Sequence, residues 1–164
     1  MSRLAIYAGT FDPITRGHED IMVRALDYVD QLVVGVAPSS NKQPIFNADE
    51  RVALIEQAVA GHDRIRVQRF DGLLVDFARA QGAKLLIRGL RAMSDFEYEY
   101  QMALMNRHLY PQLETVYMIP SLETTFISAT MVREVARFGG NLEGLVNPAV
   151  ADALRAKFAT TAAR

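Results

Sequence analysis

One stretch, Leu4-Ala5-Ile6-Tyr7-Ala8-Gly9, constrains the fold more than any other. It is a short, unbroken apolar run that stops at a glycine. A second such run follows from Gln31 to Ala37, centred on Leu32-Val33-Val34-Gly35-Val36. Strands without polar alternation are covered on both faces, which is the condition of a parallel sheet. Between the runs, Asp20 to Tyr28 keeps apolar residues at 21, 22, 25, 26 and 29, a helical period. Strand, turn, helix and strand make a crossover unit.

The same grammar continues. Asn47 stands three residues before Glu50, a capping arrangement for a helix from Ala48 to about Ala60. Ile65 to Phe70 alternates and reads as an edge or half-exposed strand. Leu73 to Ala80 reads as a short helix closed by Gly82, Lys84 to Ile87 as a buried strand, and Glu114 to Met118 as a fifth strand. A helix is expected from near Ser128 to Phe138, stopped by Gly139-Gly140. Asn147-Pro148 opens a last helix through Phe158, with a frayed tail over 159–164. The expected fold is α/β: a Rossmann-like, five-stranded, mainly parallel sheet with helices on both faces, forming a single domain over 1–164.

Asp95 to Leu109 is the longest expected helix. Phe96, Tyr100, Ala103 and Leu104 share one side, and Tyr98, Met102, Met105 and Leu109 nearly the opposite side. One apolar face should cover the chain's own core. The other is either a subunit contact or packed under another element of the same chain.

Half of the 164 residues are apolar, enough for a sizeable core. Lys plus Arg is 18 and Asp plus Glu is 19, so the net charge of −1 gives no global attraction to nucleic acid or an anionic membrane. There is no cysteine, which excludes disulfides, thiolate nucleophiles and cysteine-ligated metals. The three histidines, 18, 62 and 108, show no metal-ligand spacing. No signal peptide or transmembrane run is apparent, so the cytoplasm is the expected compartment and no membrane partner is expected.

Ligands of such sheets bind beyond the carboxyl ends of the strands. The first loop there, Gly9-Thr10-Phe11-Asp12-Pro13-Ile14-Thr15-Arg16-Gly17-His18, has two glycines and runs into a helix whose free N–H groups suit an anion. It is neither a dinucleotide fingerprint nor a P-loop. His18 either binds phosphate or caps the helix. Lys42, among turn formers, either meets a phosphate or is a solvated surface lysine. Arg88 and Arg91 flank Gly89-Leu90 and either grip phosphate, pair with Asp95, Glu97 or Glu99, or do both. Glu99 either receives a ribose hydroxyl or orients Arg91. Thr124-Thr125-Phe126-Ile127-Ser128-Ala129-Thr130 is hydroxyl-rich and opens a helix, so it caps, holds phosphate, or does both, with Arg133 one turn later. One histidine, several cations and two helix starts suit a polyphosphate and a pentavalent transition state better than covalent catalysis.

These segments carry a family resemblance. Gly9-Thr10-Phe11-Asp12-Pro13 with Thr15-Arg16-Gly17-His18 resembles the first signature of the nucleotidylyltransferase superfamily, and Ile127-Ser128-Ala129-Thr130-Met131-Val132-Arg133 its second. Lys42-Gln43-Pro44, Ile87-Arg88-Gly89-Leu90-Arg91, Asp95-Phe96-Glu97-Tyr98-Glu99 and Met105-Asn106-Arg107 narrow the resemblance to the bacterial phosphopantetheine adenylyltransferase family, over residues 4 to about 158. The resemblance implies transfer of an adenylyl group from ATP, with Mg2+, to 4'-phosphopantetheine, giving dephospho-CoA and pyrophosphate by direct attack.

Residue by residue, it implies that Thr10 and Lys42 hold the attacking phosphate and that His18 meets the α-phosphate. Arg88 would bind the pantetheine phosphate, while Leu73 and Leu74 line its arm. Phe11, Gly89, Leu90, Arg91, Glu99 and Thr124 to Thr130, including Thr125, Phe126, Ile127, Ser128 and Ala129, would hold ATP. A homo-hexamer, a dimer of trimers, and feedback by CoA at the same cleft are implied as well. Departures from the family pattern are Ala8 for proline, Arg16 for asparagine, Thr124 for tryptophan and Ala129 for serine. None removes a cation or His18. Rival readings are adenylyl transfer to nicotinate or nicotinamide mononucleotide, cytidylyl transfer to a phosphorylated alcohol, a non-catalytic ATP-binding module, and a structural oligomer.

Overall fold

In a computed structural model, which describes residues 3–39 and 43–162, the two apolar runs pair side by side. Strand β1 (Leu4–Gly9) lies parallel to β2 (Gln31–Val36), with Ile6 opposite Val33, and the helix between them is α1 (Arg16–Ala25). The remaining elements are α2 (Ala48–Ala58), β3 (Ile65–Arg69), α3 (Leu74–Gln81), β4 (Leu85–Gly89), α4 (Met93–Leu109), β5 (Glu114–Met118), α5 (Ala129–Arg137) and α6 (Pro148–Ala162). The five strands run in the order β3-β2-β1-β4-β5, and every pairing is parallel.

Alternation along the strands divides the core into two layers, because successive side chains leave opposite faces. Ala5, Tyr7, Val34 and Ile87 face one layer with Ile21 and Met22 of α1, Leu54 and Ile55 of α2, Val132 of α5 and Leu154 of α6. Ile6, Ala8, Val33 and Leu86 face the other with Val75, Phe77 and Ala78 of α3. The helices on both faces and the edge position of β3 are as the sequence predicts. So are the Asn47–Glu50 capping box, the left-handed Gly82 that closes α3 and Ser128 as the cap of α5.

Several boundaries differ from expectation. Helix α1 starts at Arg16 and ends at Ala25, because Thr15 caps it and His18 completes the box. Strand β4 extends to Gly89, so Arg88 and Gly89 are strand residues rather than part of a following loop. Helix α6 continues to Ala162, beyond the expected end at Phe158.

The largest difference is in α4. The side turned to the protein is the strip Asp95, Glu99, Ala103 and Asn106, with Glu99 and Asn106 buried. Both apolar flanks, Phe96, Tyr100 and Leu104 on one and Tyr98, Met102, Met105 and Leu109 on the other, are exposed. Neither apolar face covers this chain's own core. Among the described residues, no helix is long and apolar enough to cross a membrane.

Candidate active site

The strand order reverses between β1 and β4, and a crevice opens where their carboxyl ends diverge. A cavity of about 480 Å³ lies there, lined by Tyr7, Gly9 and Phe11 from the end of β1, Gly17 and His18 from α1, Arg88 and Gly89 from β4, and Glu99 from α4. Arg91, Thr124, Ile127, Ser128, Ala129 and Thr130 complete the wall. Segments 80 to 120 residues apart in the chain thus form one site.

His18 both caps and lines the cleft. Its Nδ1 accepts the Thr15 N–H at 3.0 Å and lies 3.2 Å from Thr15 Oγ1, while its own N–H donates to Thr15 Oγ1 at 3.4 Å. A backbone N–H is only a donor, so Nδ1 is an acceptor and the ring proton is on Nε2. The two readings of His18 are therefore compatible: one ring nitrogen caps α1, and the other is an N–H donor. Burial, reinforced by the positive charges of Arg91 and Arg88, lowers its pKa from 6.5 to about 4. At neutral pH it is an uncharged donor. Phe11 packs edge-on to the imidazole with centroids 5.0 Å apart, and Tyr7 edge-on to Phe11 at 5.5 Å. Burial also keeps the Tyr7 phenol protonated, its pKa raised.

Arg88 is held from three directions. Nε donates to Glu99 Oε2 at 3.0 Å, one Nη to Glu99 Oε1 at 2.6 Å, and the other to the Ala8 carbonyl at 2.6 Å. A guanidinium has five N–H donors, so two remain for a ligand. Both Glu99 oxygens are occupied by Arg88, and its carbonyl accepts the Tyr117 hydroxyl at 2.7 Å. Glu99 thus orients Arg88 and not Arg91, whose partner is Asp95 at 3.6 Å.

Two helix starts meet at the cleft. In α5, Ser128 Oγ accepts the Met131 N–H at 3.2 Å, leaving the first-turn N–H groups of Ala129 and Thr130 without helical acceptors. At α1, a Cβ on Gly17 would stand 3.3 Å from the Thr124 carbonyl. Glycine there lets the two loops approach each other.

Not every expected residue reaches this cavity. Leu90 donates its N–H to Met118 at 2.9 Å and continues the sheet, and Thr125 and Phe126 lie outside the lining, Phe126 exposed. Thr10 also lies outside the lining, although its neighbours Gly9 and Phe11 belong to it. Leu74 borders a smaller cleft of about 140 Å³ on the other side of Arg88, with Met102, Asn106 and Tyr117, whereas Leu73 is exposed at the start of α3. Lys42 lies outside the described residues.

Sequence reasoning missed Tyr7, Tyr98 and Asn106, which read as ordinary core or helix residues. It also missed Asp12, a buried carboxylate accepting the Ile45 and Phe46 N–H groups at 3.0 and 2.9 Å. No local pattern marks such a contact, because the partners are more than 30 positions away. A half-buried acid, Glu19, pairs with Arg16 at 2.6 Å and has its pKa raised by burial, but it lies outside this cleft.

Comparison with known proteins agrees with this geometry. The cytidylyltransferase-like family model matches residues 6–135. A phosphopantetheine adenylyltransferase of Azoarcus sp. BH72 is 56% identical over 154 residues, covering 94% of each chain. The proteins of that name from Nitrosospira multiformis and Anaeromyxobacter dehalogenans are each 53% identical, covering 95% and 96% of this chain and 94% and 96% of their own. Among solved structures, a chain described as a candidate nicotinate-nucleotide adenylyltransferase from Vibrio parahaemolyticus superposes with a TM-score of 0.68 at 18% identity, covering 94% of this chain and 92% of its own, a likeness of fold. This chain belongs to the cytidylyltransferase-like family and, within it, to the phosphopantetheine adenylyltransferases.

Proposed function

We propose that this chain transfers the adenylyl group of ATP to 4'-phosphopantetheine, releasing pyrophosphate and forming dephospho-CoA. The observation that carries the mechanism is the convergence of neutral His18, Arg88, Arg91 and the α5 N-terminus on one cleft. A phosphate oxygen of the acceptor forms a bond to the α-phosphorus as the bond to the bridging oxygen breaks, and pyrophosphate leaves with that electron pair. No residue becomes covalently attached.

In this reading His18 donates Nε2–H to the α-phosphate as charge builds on its equatorial oxygens, and needs no positive charge to do so. Arg91 and the N–H groups of Ala129 and Thr130 receive the rest of the triphosphate, with Phe11, Gly89, Thr124, Ile127 and Ser128 enclosing the nucleotide. The two remaining Arg88 donors take the pantetheine phosphate, and Thr10 and Lys42 steady it during attack. The cleft beside Leu74, with Leu73 at its edge, receives the pantetheine arm.

Mg2+ arrives as MgATP. Glu99 is engaged by Arg88 and Asp95 pairs with Arg91, so the described residues leave the cation to the phosphate oxygens. The exposed apolar flanks of α4 support assembly into a homo-hexamer, a dimer of trimers. CoA, which carries the pantetheine arm and the adenine nucleotide of the product, suits the same cleft as a feedback ligand. We place the enzyme in the cytoplasm, with the whole chain as one catalytic domain and neither nucleic acid nor membrane as partner.

The test is mass detection of dephospho-CoA from purified protein, MgATP and 4'-phosphopantetheine. Product in stoichiometric match with pyrophosphate supports the reading. Turnover of nicotinate mononucleotide instead, or ATP binding without product, contradicts it.

A further inference from the structure

Arg51, on the first turns of α2, is 3% exposed, yet no carboxylate lies within ion-pair distance of it among the described residues. Its partners are two backbone carbonyls. One Nη donates to Thr10 at 2.6 Å and to Ala37 at 2.8 Å, and Nε is buried without an acceptor. Burying a guanidinium without a carboxylate partner is expensive. The two carbonyls belong to the residues immediately beyond the carboxyl ends of β1 and β2. The Ala37 N–H also donates to the Gly9 carbonyl at 2.9 Å, so the two strand ends are tied in both directions.

The loop after β1 is held on its far side too. The Asp12 carbonyl accepts from Arg133 of α5 at 2.7 Å, and the Asp12 carboxylate holds the Ile45 and Phe46 N–H groups. Between these fixed points, the Thr10 carbonyl is held by Arg51. Phe11, next in the chain, sits at φ +50°, an uncommon conformation for a residue with a side chain. Such a backbone persists only where its surroundings impose it.

We propose that Arg51 is a positioning residue of the reaction: by bridging the Thr10 and Ala37 carbonyls it sets the Thr10 hydroxyl and the Phe11 ring, and through Phe11 the plane of His18. It touches neither substrate. The inference rests on the adenylyl-transfer reading, in which Thr10 steadies the acceptor phosphate.

A double-mutant cycle tests it, using Arg51→Lys and Thr10→Ala singly and together in the full chain, with kcat and both KM values read in the dephospho-CoA assay. Arg51→Lys keeps the charge, but its ammonium ends one bond short of the Nη that makes both contacts. It should lower kcat tenfold or more while KM for ATP changes less than threefold. In the Thr10→Ala background the same change should cost several-fold less than in the parent, since the hydroxyl it positions is gone and only the Phe11–His18 arm remains. Losses that multiply, or an unchanged kcat, would overturn the proposal. Arg51→Gln, which keeps an uncharged NH2 donor, is the second variant. Failure of both variants to fold, read by thermal unfolding, would also overturn it, because Arg51 would then serve the fold alone. If the unmodified protein makes no dephospho-CoA, the functional reading fails; if it does and the losses multiply, only the role of Arg51 fails.

Discussion

At the scale of single residues, one imidazole caps a helix and, in the proposed reaction, donates to the α-phosphate. Thr15 occupies Nδ1 and so commits the proton to Nε2. A donor whose contact strengthens as charge develops should affect turnover more than ground-state binding. His18→Ala is expected to lower kcat by about 10²–10³, the scale of losing one preorganised donor, while the ATP dissociation constant from calorimetry changes less than about tenfold. Equal losses in both would remove His18 from the transition state.

The same residue ties stability to pH. Its pKa falls from 6.5 in the unfolded chain to about 4 in the fold, so below 6.5 the unfolded chain takes up a proton that the native one refuses. Stability associated with His18 is therefore complete above pH 6.5 and is lost as pH falls toward 4, a swing of roughly 3 kcal/mol. Unfolding of the unliganded protein in denaturant at pH 7 and pH 4.5 should show a smaller acid loss in His18→Gln than in the parent. An identical loss would mean that His18 titrates normally.

What the sequence disclosed at this scale was chemistry with a local signature: His18 after a glycine, Arg88 and Arg91 around Gly89, and hydroxyls ahead of a helix. What it concealed were roles set by distant partners. Glu99 could be matched to Arg91 by proximity in the chain, but the pleat of β4 turns Arg88 toward it instead. Asp12 and Arg51 look unremarkable until the loops they join are brought together.

At the scale of elements, two helix N-termini are brought face to face by a residue without a side chain. Gly17→Ala would push a methyl to 3.3 Å from the Thr124 carbonyl, a backbone atom that cannot rotate away. The variant should lose about 1–2 kcal/mol, as expected for mild overpacking, and its KM for ATP should rise as α1 and the 124–128 loop separate. Thermal unfolding and steady-state kinetics check both. A KM equal to that of the parent would show that the approach of the two loops does not shape the nucleotide site.

Strand and helix positions were readable because apolar runs, Asn47, Gly82 and Ser128 are local signals. The start of α1 was harder, since a histidine in place of the usual glutamate or glutamine completes its capping box. Helix α4 showed two apolar faces in sequence. Its periodicity could not reveal that the side packed on the protein is the polar strip between them, where Glu99 serves the cleft.

At the scale of the whole molecule, that arrangement leaves large apolar side chains on both flanks of α4, with Val116 and Ile119 exposed at and just beyond β5. Exposed apolar surface of this extent supports the proposed assembly. In analytical ultracentrifugation the protein should sediment as a hexamer, and Leu104→Glu with Met105→Glu should shift it to smaller species. A monomeric parent would remove the assembly from the account.

The most direct test of the central claim is a crystal structure with the α,β-methylene analogue of ATP, which cannot release pyrophosphate. The triphosphate is expected in the crevice between β1 and β4, with His18 Nε2 within hydrogen-bond distance of an α-phosphate oxygen and Arg91 and the α5 N-terminus on the phosphates beyond it. A nucleotide bound elsewhere, or one in the crevice with His18 turned away from the α-phosphate, would contradict it.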